Sequence, residues 1–186
     1  LTGSNAGLGD LATEFGLDGT NAGEAEVKGI EFLQAYTANA DSSVQIPLFV
    51  SATYTDAELT APLSEGGEAD ILAADEPGAT IPYVPEWKLS VGGGIAAENW
   101  GINAIGSYTS DMYASAKNLE VSNGREGKVD GGFILDLSAH YKLSDTAKLI
   151  GGVHNVLDEV LTVSRLPDGP RVNAPREFYI GLELQW

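Results

Sequence analysis

From Phe178 to the end of the chain every second residue is large and apolar, namely Phe178, Ile180, Leu182, Leu184 and Trp186, while Glu177, Gly181, Glu183 and Gln185 in the alternate series are small or polar. A period of two sends successive side chains to opposite faces, so this stretch is a strand with one wholly apolar face. That face runs to Trp186 with no polar tail. A soluble domain would be expected to end in a frayed, polar segment. A membrane strand fits better, because tilted strands of about ten residues alternate lipid-facing and lumen-facing positions and carry aromatics at the interfaces.

The same period recurs along the chain. Strands are predicted at about 27–37, 44–55, 86–96, 100–113, 130–142, 147–160 and 176–186, with residues 1–26 as a loop rich in Gly, Asn, Thr and acids. Phe133, Leu135, Leu137, Ala139 and Tyr141, alternating with Asp136, Ser138, His140 and Lys142, form the sharpest of these runs. Gln34 interrupts the apolar face of the first strand, and Pro47 removes one ladder hydrogen bond from the second.

The connections are unequal in a regular way. Turns after the first, third and fifth strands are short, and the segments before the first and after the second, fourth and sixth are long. A β-sandwich has no reason to gather its long loops at one end, whereas an outer-membrane barrel has short periplasmic turns and long extracellular loops. Tyr36, Trp100, Tyr141 and Trp186 fall at the short-turn end and Tyr54, Trp87, Tyr108 and Tyr113 nearer the other, as two aromatic girdles would. The expected fold is therefore all-β, an antiparallel transmembrane β-barrel meander of about seven strands. Bacterial barrels have even strand numbers and lipid tolerates no open edge, so other strands must complete it.

Composition enters as an exclusion. No apolar run approaches the length of a spanning helix, about 20 residues, and a mean hydropathy of −0.05 is what a strand set with one polar face gives. Ten Lys+Arg against 27 Asp+Glu give a net charge of −17, which repels nucleic-acid phosphate. With zero cysteines there is no disulfide, thiolate–metal or thiol-nucleophile chemistry. Leu1 is neither an initiator Met nor the start of a signal peptide, so a processed or partial chain is expected.

Four stretches then resemble one family in order and spacing: Val27-Lys28-Gly29-Ile30-Glu31, Ile81-Pro82-Tyr83-Val84-Pro85-Glu86-Trp87, Gly152-Val153-His154-Asn155-Val156-Leu157-Asp158-Glu159, and Gly169-Pro170-Arg171-Val172-Asn173-Ala174-Pro175-Arg176-Glu177-Phe178. They are similar to the C-terminal barrel of TonB-dependent outer-membrane receptors. The Pro82–Trp87 and Ser164–Arg171 forms look most like the ferric citrate and siderophore receptor branch. His154, Val156, Glu177 and Trp186 depart from the residues usual at those places without disturbing the pattern. The resemblance implies a barrel of about 22 strands of which this chain is the last part, filled by an N-terminal plug upstream and driven by the TonB–ExbB–ExbD complex. It implies import of a ferric chelate as transported ligand in a Gram-negative outer membrane, among lipopolysaccharide, with no covalently bound cofactor. A porin or adhesin barrel without energy coupling, or a receptor for a glycan or cobalamin, is the alternative.

An anionic chelate wants cations, and the long loops offer Lys117, Arg125, Lys128, Arg165 and Arg171; Arg171, like Arg176, falls in the family's motif, where the resemblance implies a structural role instead. Structural roles are expected for Asp136 and His154, as a hydrogen-bonded lumen pair across one hairpin, and for Arg176, Phe178 and Trp186 in the terminal motif. His140 is placed opposite Ile150 and so makes no metal pair with His154. Lys148 with Glu183 reads as a lumen ion pair. The acidic loops 1–26 and 56–82 carry the hard oxygen ligands of Ca²⁺, but without the spacing of a calcium loop, so solvation or lipopolysaccharide-bound divalent ions is the better reading. No nucleophile, base and orienting group assemble, so no enzyme is expected.

Overall fold

The computed structural model describes residues 24–61, 77–120, 124, 126–165 and 169–185. Its elements are β1 (Glu24–Ala38), β2 (Val44–Ala61), β3 (Ala79–Thr80), β4 (Trp87–Ala97), β5 (Trp100–Thr109), β6 (Met112–Tyr113), β7 (Lys128–Val129), β8 (Gly132–Ser144), β9 (Ala147–His154), β10 (Thr162–Ser164), β11 (Arg171–Val172) and β12 (Glu177–Leu184). The long strands form one antiparallel sheet in the order β1-β2-β4-β5-β8-β9-β12, with β3 added beside β2. The short pairs β6–β7 and β10–β11 stand apart from it.

One row across all seven strands reads Tyr36, Leu48, Gly93, Ala104, Leu137, Val153 and Phe178. The next row on the opposite face reads Gly94, Asn103, Ser138, Gly152 and Tyr179, and a further one Leu33, Ser51, Ser90, Ser107 and Ile134. The separate alternations thus fuse into one apolar and one mainly polar face, because a shift of a single residue anywhere would exchange them.

No second layer covers the apolar face among the described residues. Ile30 is 72%, Val91 58% and Ile180 79% exposed, while the buried apolar residues Ala57, Leu59, Ala114, Ala116 and Val129 all lie at the long-connection end. A water-soluble sheet must bury its apolar face on another element. A single-layer sheet with this pattern is satisfied by lipid.

The connections between β1 and β2, β4 and β5, and β8 and β9 are residues 39–43, 98–99 and 145–146. Asn39 takes φ 56° in the first, a conformation its short amide tolerates. The last turn is shorter than predicted, with a bulge between Lys142 and Ser144, yet His140 still faces Ile150. Trp100 pairs with Tyr141 and Tyr36 with Leu48 at the short-turn end. Tyr54 pairs with Trp87, their rings 5.0 Å apart, and Tyr108 with Phe133 at the other. Tyr113 leaves this girdle, its hydroxyl donating to Glu120, and Trp186 lies outside the described residues.

Several boundaries depart from the expected ones. The first strand starts at Glu24, inside the expected loop, and β2 runs on to Ala61. The span 100–113 ends as sheet at Thr109, and 130–142 becomes 132–144. There Gly131 packs so closely on the Thr109–Asp111 backbone that a Cβ would lie 2.5 to 2.6 Å from it. The span 147–160 ends at His154, because Asn155 takes φ 50° and turns the chain out of the ladder.

Candidate functional site

The long connections converge on one another at their end of the sheet. Leu59 and Ala116 pack together with Ala79 and Ile81, joining the connections that follow β2 and β5. Asn118, at φ 48°, extends this join by accepting the Thr80 N–H at 2.8 Å and donating to the Thr80 carbonyl at 3.3 Å. The segment leading into β4 holds two buried prolines, Pro82 and Pro85, which donate nothing to a ladder and so turn the chain across the mouth. Between them Tyr83 donates its N–H to the Tyr113 carbonyl at 2.9 Å and accepts the Arg165 N–H on its hydroxyl at 3.1 Å.

Of the predicted cations, the structure brings Lys128 and Arg165 together: the Arg165 Nε donates to the Lys128 carbonyl at 3.0 Å. The Lys128 ammonium is bound to Asp111, with Glu120 at 3.7 Å, and its pKa is raised chiefly by the Asp111 hydrogen bond. Glu120 also accepts the Tyr113 hydroxyl at 2.6 Å, which pushes that phenol's pKa up. Lys117 is paired with Glu126 at 2.9 Å. Arg171 is exposed on β11 opposite Ser164. Arg125 lies outside the described residues, as do most of the acidic stretches that carry oxygen ligands for Ca²⁺, residues 1–23 and 62–76.

Below this cluster lies a hydrogen-bonded clamp whose central residue the sequence reading passed over. Asn155 is 3% exposed; its amide donates to the carbonyls of Glu159 at 2.9 Å and Ala174 at 3.1 Å and accepts the Glu159 N–H at 2.9 Å. Asn173 repeats the device, accepting the Leu161 N–H at 2.8 Å and donating to the Glu159 carbonyl at 3.0 Å. The signal lay in Asn155 and Asn173 themselves, amides that serve a backbone on both sides, but their partners are 4 to 19 residues away in sequence.

Arg176 and Asp158 close the clamp: Asp158 accepts the Arg176 N–H at 2.9 Å and faces its guanidinium at 3.3 Å. The backbone hydrogen bond from Arg176, aided by its charge, lowers the Asp158 pKa. A depressed carboxylate stabilises the fold above its unfolded value, about pH 4, and that contribution is lost as the pH falls through the folded value. Amide exchange in residues 173–177 is therefore expected to be slow and flat from pH 7 to 5, after correction for intrinsic rates, and to accelerate below about pH 4. In an Asp158→Asn variant the acid-dependent step should disappear.

On the polar face, Asp136 and His154 are neighbours, with Nδ1 to Oδ1 at 3.6 Å. That is too long for the expected hydrogen bond. Asp136 instead accepts the Asn155 N–H at 2.8 Å, while His154 stacks on Tyr179 with centroids 5.0 Å apart. Lys148 and Glu183 pair at 2.7 Å as expected. Phe178 projects on the apolar face, 73% exposed. Among the described residues no group of three His, Asp or Glu side chains gathers to hold a metal.

The geometry is thus a polar-lined wall topped by interlocked, charged loops, and the comparisons with known proteins agree with it. A family model described as "TonB dependent receptor-like, beta-barrel" matches residues 2–156. No curated protein matches the sequence. Among solved structures, the unliganded ferric citrate transporter FecA is 18% identical with a TM-score of 0.62, over 87% of this chain and 29% of that one. The siderophore receptor PiuA from Acinetobacter baumannii is 16% identical with a TM-score of 0.66, over 87% and 22%. The copper transporter OprC is 13% identical with a TM-score of 0.57, over 88% and 24%. At such identities the likeness shows the fold alone, and the chain spans only 22 to 29% of these proteins' lengths.

Proposed function

Because the chain belongs to the TonB-dependent receptor β-barrel family, whose members are transporters of the Gram-negative outer membrane, we propose that it forms part of a receptor importing an anionic ferric chelate. In this reading the earlier strands and the plug of the same receptor close and fill the barrel. TonB–ExbB–ExbD energises it through the plug, and lipopolysaccharide borders the outer half of its apolar face.

One observation carries the choice of ligand. Arg165 and Arg171 flank the loop that joins β10 to β11, Arg165 next to Ser164 and Arg171 opposite it, and neither is ion-paired among the described residues, in a chain of net charge −17. Lys117 and Lys128 are bound to carboxylates and have little left to offer a ligand. The Arg171 guanidinium, and the terminal nitrogens of Arg165 beside its Nε–H bond to the Lys128 carbonyl, match chelated carboxylate or hydroxamate oxygens bidentately. The names of the ferric citrate and siderophore transporters support iron. The copper transporter, built on the same fold, marks how little the fold alone selects the cargo.

In the full receptor, charge reversal at Arg165 and Arg171 together is expected to weaken ferric chelate binding roughly 10- to 100-fold, the scale of one or two charged hydrogen bonds. Iron-starved cells carrying it should lose growth on ferric citrate or a ferric hydroxamate at limiting concentration. Parental uptake of both would remove these arginines from the site. A parent that imports cobalamin or a glycan but no iron chelate would leave the receptor standing and remove the substrate.

A further inference from the structure

Tyr83 is the outlier of the outer cluster. Its φ is 59°, in the left-handed region where a bulky side chain is rarely found and where the conformation persists only if its surroundings impose it. Among the described residues the other non-glycine positions in that region are Asn39, Asn118, Asn155 and Asp158, whose short polar side chains tolerate it. Tyr83 has no such excuse. What holds it is contact with two other connections: its N–H on the Tyr113 carbonyl at 2.9 Å, and its hydroxyl accepting the Arg165 N–H at 3.1 Å across 82 residues of sequence. Arg165 in turn holds the Lys128 carbonyl at 3.0 Å, and Lys128 pairs with Tyr113 across β6–β7, which closes a ring of contacts through the segments after β2, β5 and β9.

We infer that Tyr83 is the positioning residue of the outer ligand surface: by fixing Arg165 and Tyr113 together it makes the connections after β2, β5 and β9 respond as one body to a ligand held at Arg165. The left-handed turn between Pro82 and Pro85 is what lets one residue present its N–H to one connection and its hydroxyl to another. The inference rests on the proposed uptake function only for its ligand, since the contacts join the loops whatever is bound.

The test is hydrogen exchange on the full receptor in detergent, with Tyr83→Phe, which keeps the ring and removes the acceptor, and Tyr83→Gly, which also relieves the φ. In both, amides of residues 162–165 are expected to exchange about fivefold faster than in the parent, the scale of one lost hydrogen bond, while heat-resistant mobility on gels stays parental. In the parent, saturating ferric citrate should slow exchange in 112–115 as well as in 162–165. In Tyr83→Phe it should slow 162–165 but protect 112–115 less than in the parent, because only the Arg165–Lys128 arm of the ring then joins them, a loss of coupling that a merely structural tyrosine would not produce. Unchanged exchange at 162–165 in both variants, or ligand protection at 112–115 in Tyr83→Phe as full as in the parent, would overturn the assignment. If the ligand-free exchange responds as expected but the parent binds no ferric citrate or hydroxamate, the joining of the loops stands and the substrate reading falls.

Discussion

Arginine in place of Leu137 should destabilise the receptor barrel by about 2 to 4 kcal/mol, whereas arginine in place of the adjacent Ser138 should cost under about 1 kcal/mol. The two residues lie at the middle of β8 and differ only in the face they occupy. Leu137 stands between Ala104 and Val153 on the apolar face, and Ser138 between Asn103 and Gly152 on the polar one. A guanidinium at the bilayer midplane must either be dehydrated or drag water and headgroups inward, while the same group one residue along meets the lumen. Equilibrium unfolding of the full receptor from lipid vesicles, read by tryptophan fluorescence, measures the difference. Equal costs at the two positions would mean that both faces meet the same medium.

The second large effect is expected at Asn155. Alanine there removes the acceptor of the Glu159 N–H and the donor to the Glu159 and Ala174 carbonyls, at a site only 3% exposed. It also places a residue with no compensating side chain at φ 50°. Buried groups left unsatisfied cost about 1 to 3 kcal/mol each, although water entering the widened site will recover part of that. A net loss of about 2 to 4 kcal/mol is expected. Asparagine is held here by both its amide and its backbone, so aspartate should rescue only the Glu159 N–H. Limited proteolysis in the outer connection after β9 reports the same event locally, with cleavage appearing in Asn155→Ala before the barrel itself unfolds. Parental resistance would show that Asn173 alone suffices to hold that connection.

The strands were legible in the sequence for a physical reason: each long strand is two-sided, so its alternation survives without knowledge of its neighbours. Register was legible where a tight turn fixed it, as in His140 opposite Ile150; Lys148 beside Glu183, across a long connection, was legible only as two opposite charges on one face. Register was illegible at the outer ends. Nothing in the run 147–160 announced that Asn155 would leave the ladder, because the reason is its bonds to Glu159, made only by a chain that has already turned, and to Ala174, 19 residues on. The candidate site was partly legible in the same sense. Composition located the cations, but not that Asp111 and Glu126 would occupy Lys128 and Lys117. Nor did it announce that Tyr83 would reach Arg165 across 82 residues. Asp136 and His154 were brought side by side as expected, but the nearer donor proved to be the backbone of Asn155.

A spin-label scan along β8 tests the central claim most directly. With the full receptor in lipid vesicles, nitroxides placed singly at residues 133 to 141 are exposed to oxygen, which concentrates in the bilayer, and to a water-soluble nickel chelate. Positions 133, 135, 137, 139 and 141 are expected to be oxygen-accessible and shielded from nickel, and positions 134, 136, 138 and 140 to show low oxygen access, a strict period of two across the strand. Equal access of nickel to both series, or a profile without that period, would contradict the reading of this sheet as the lipid-facing wall of a receptor barrel.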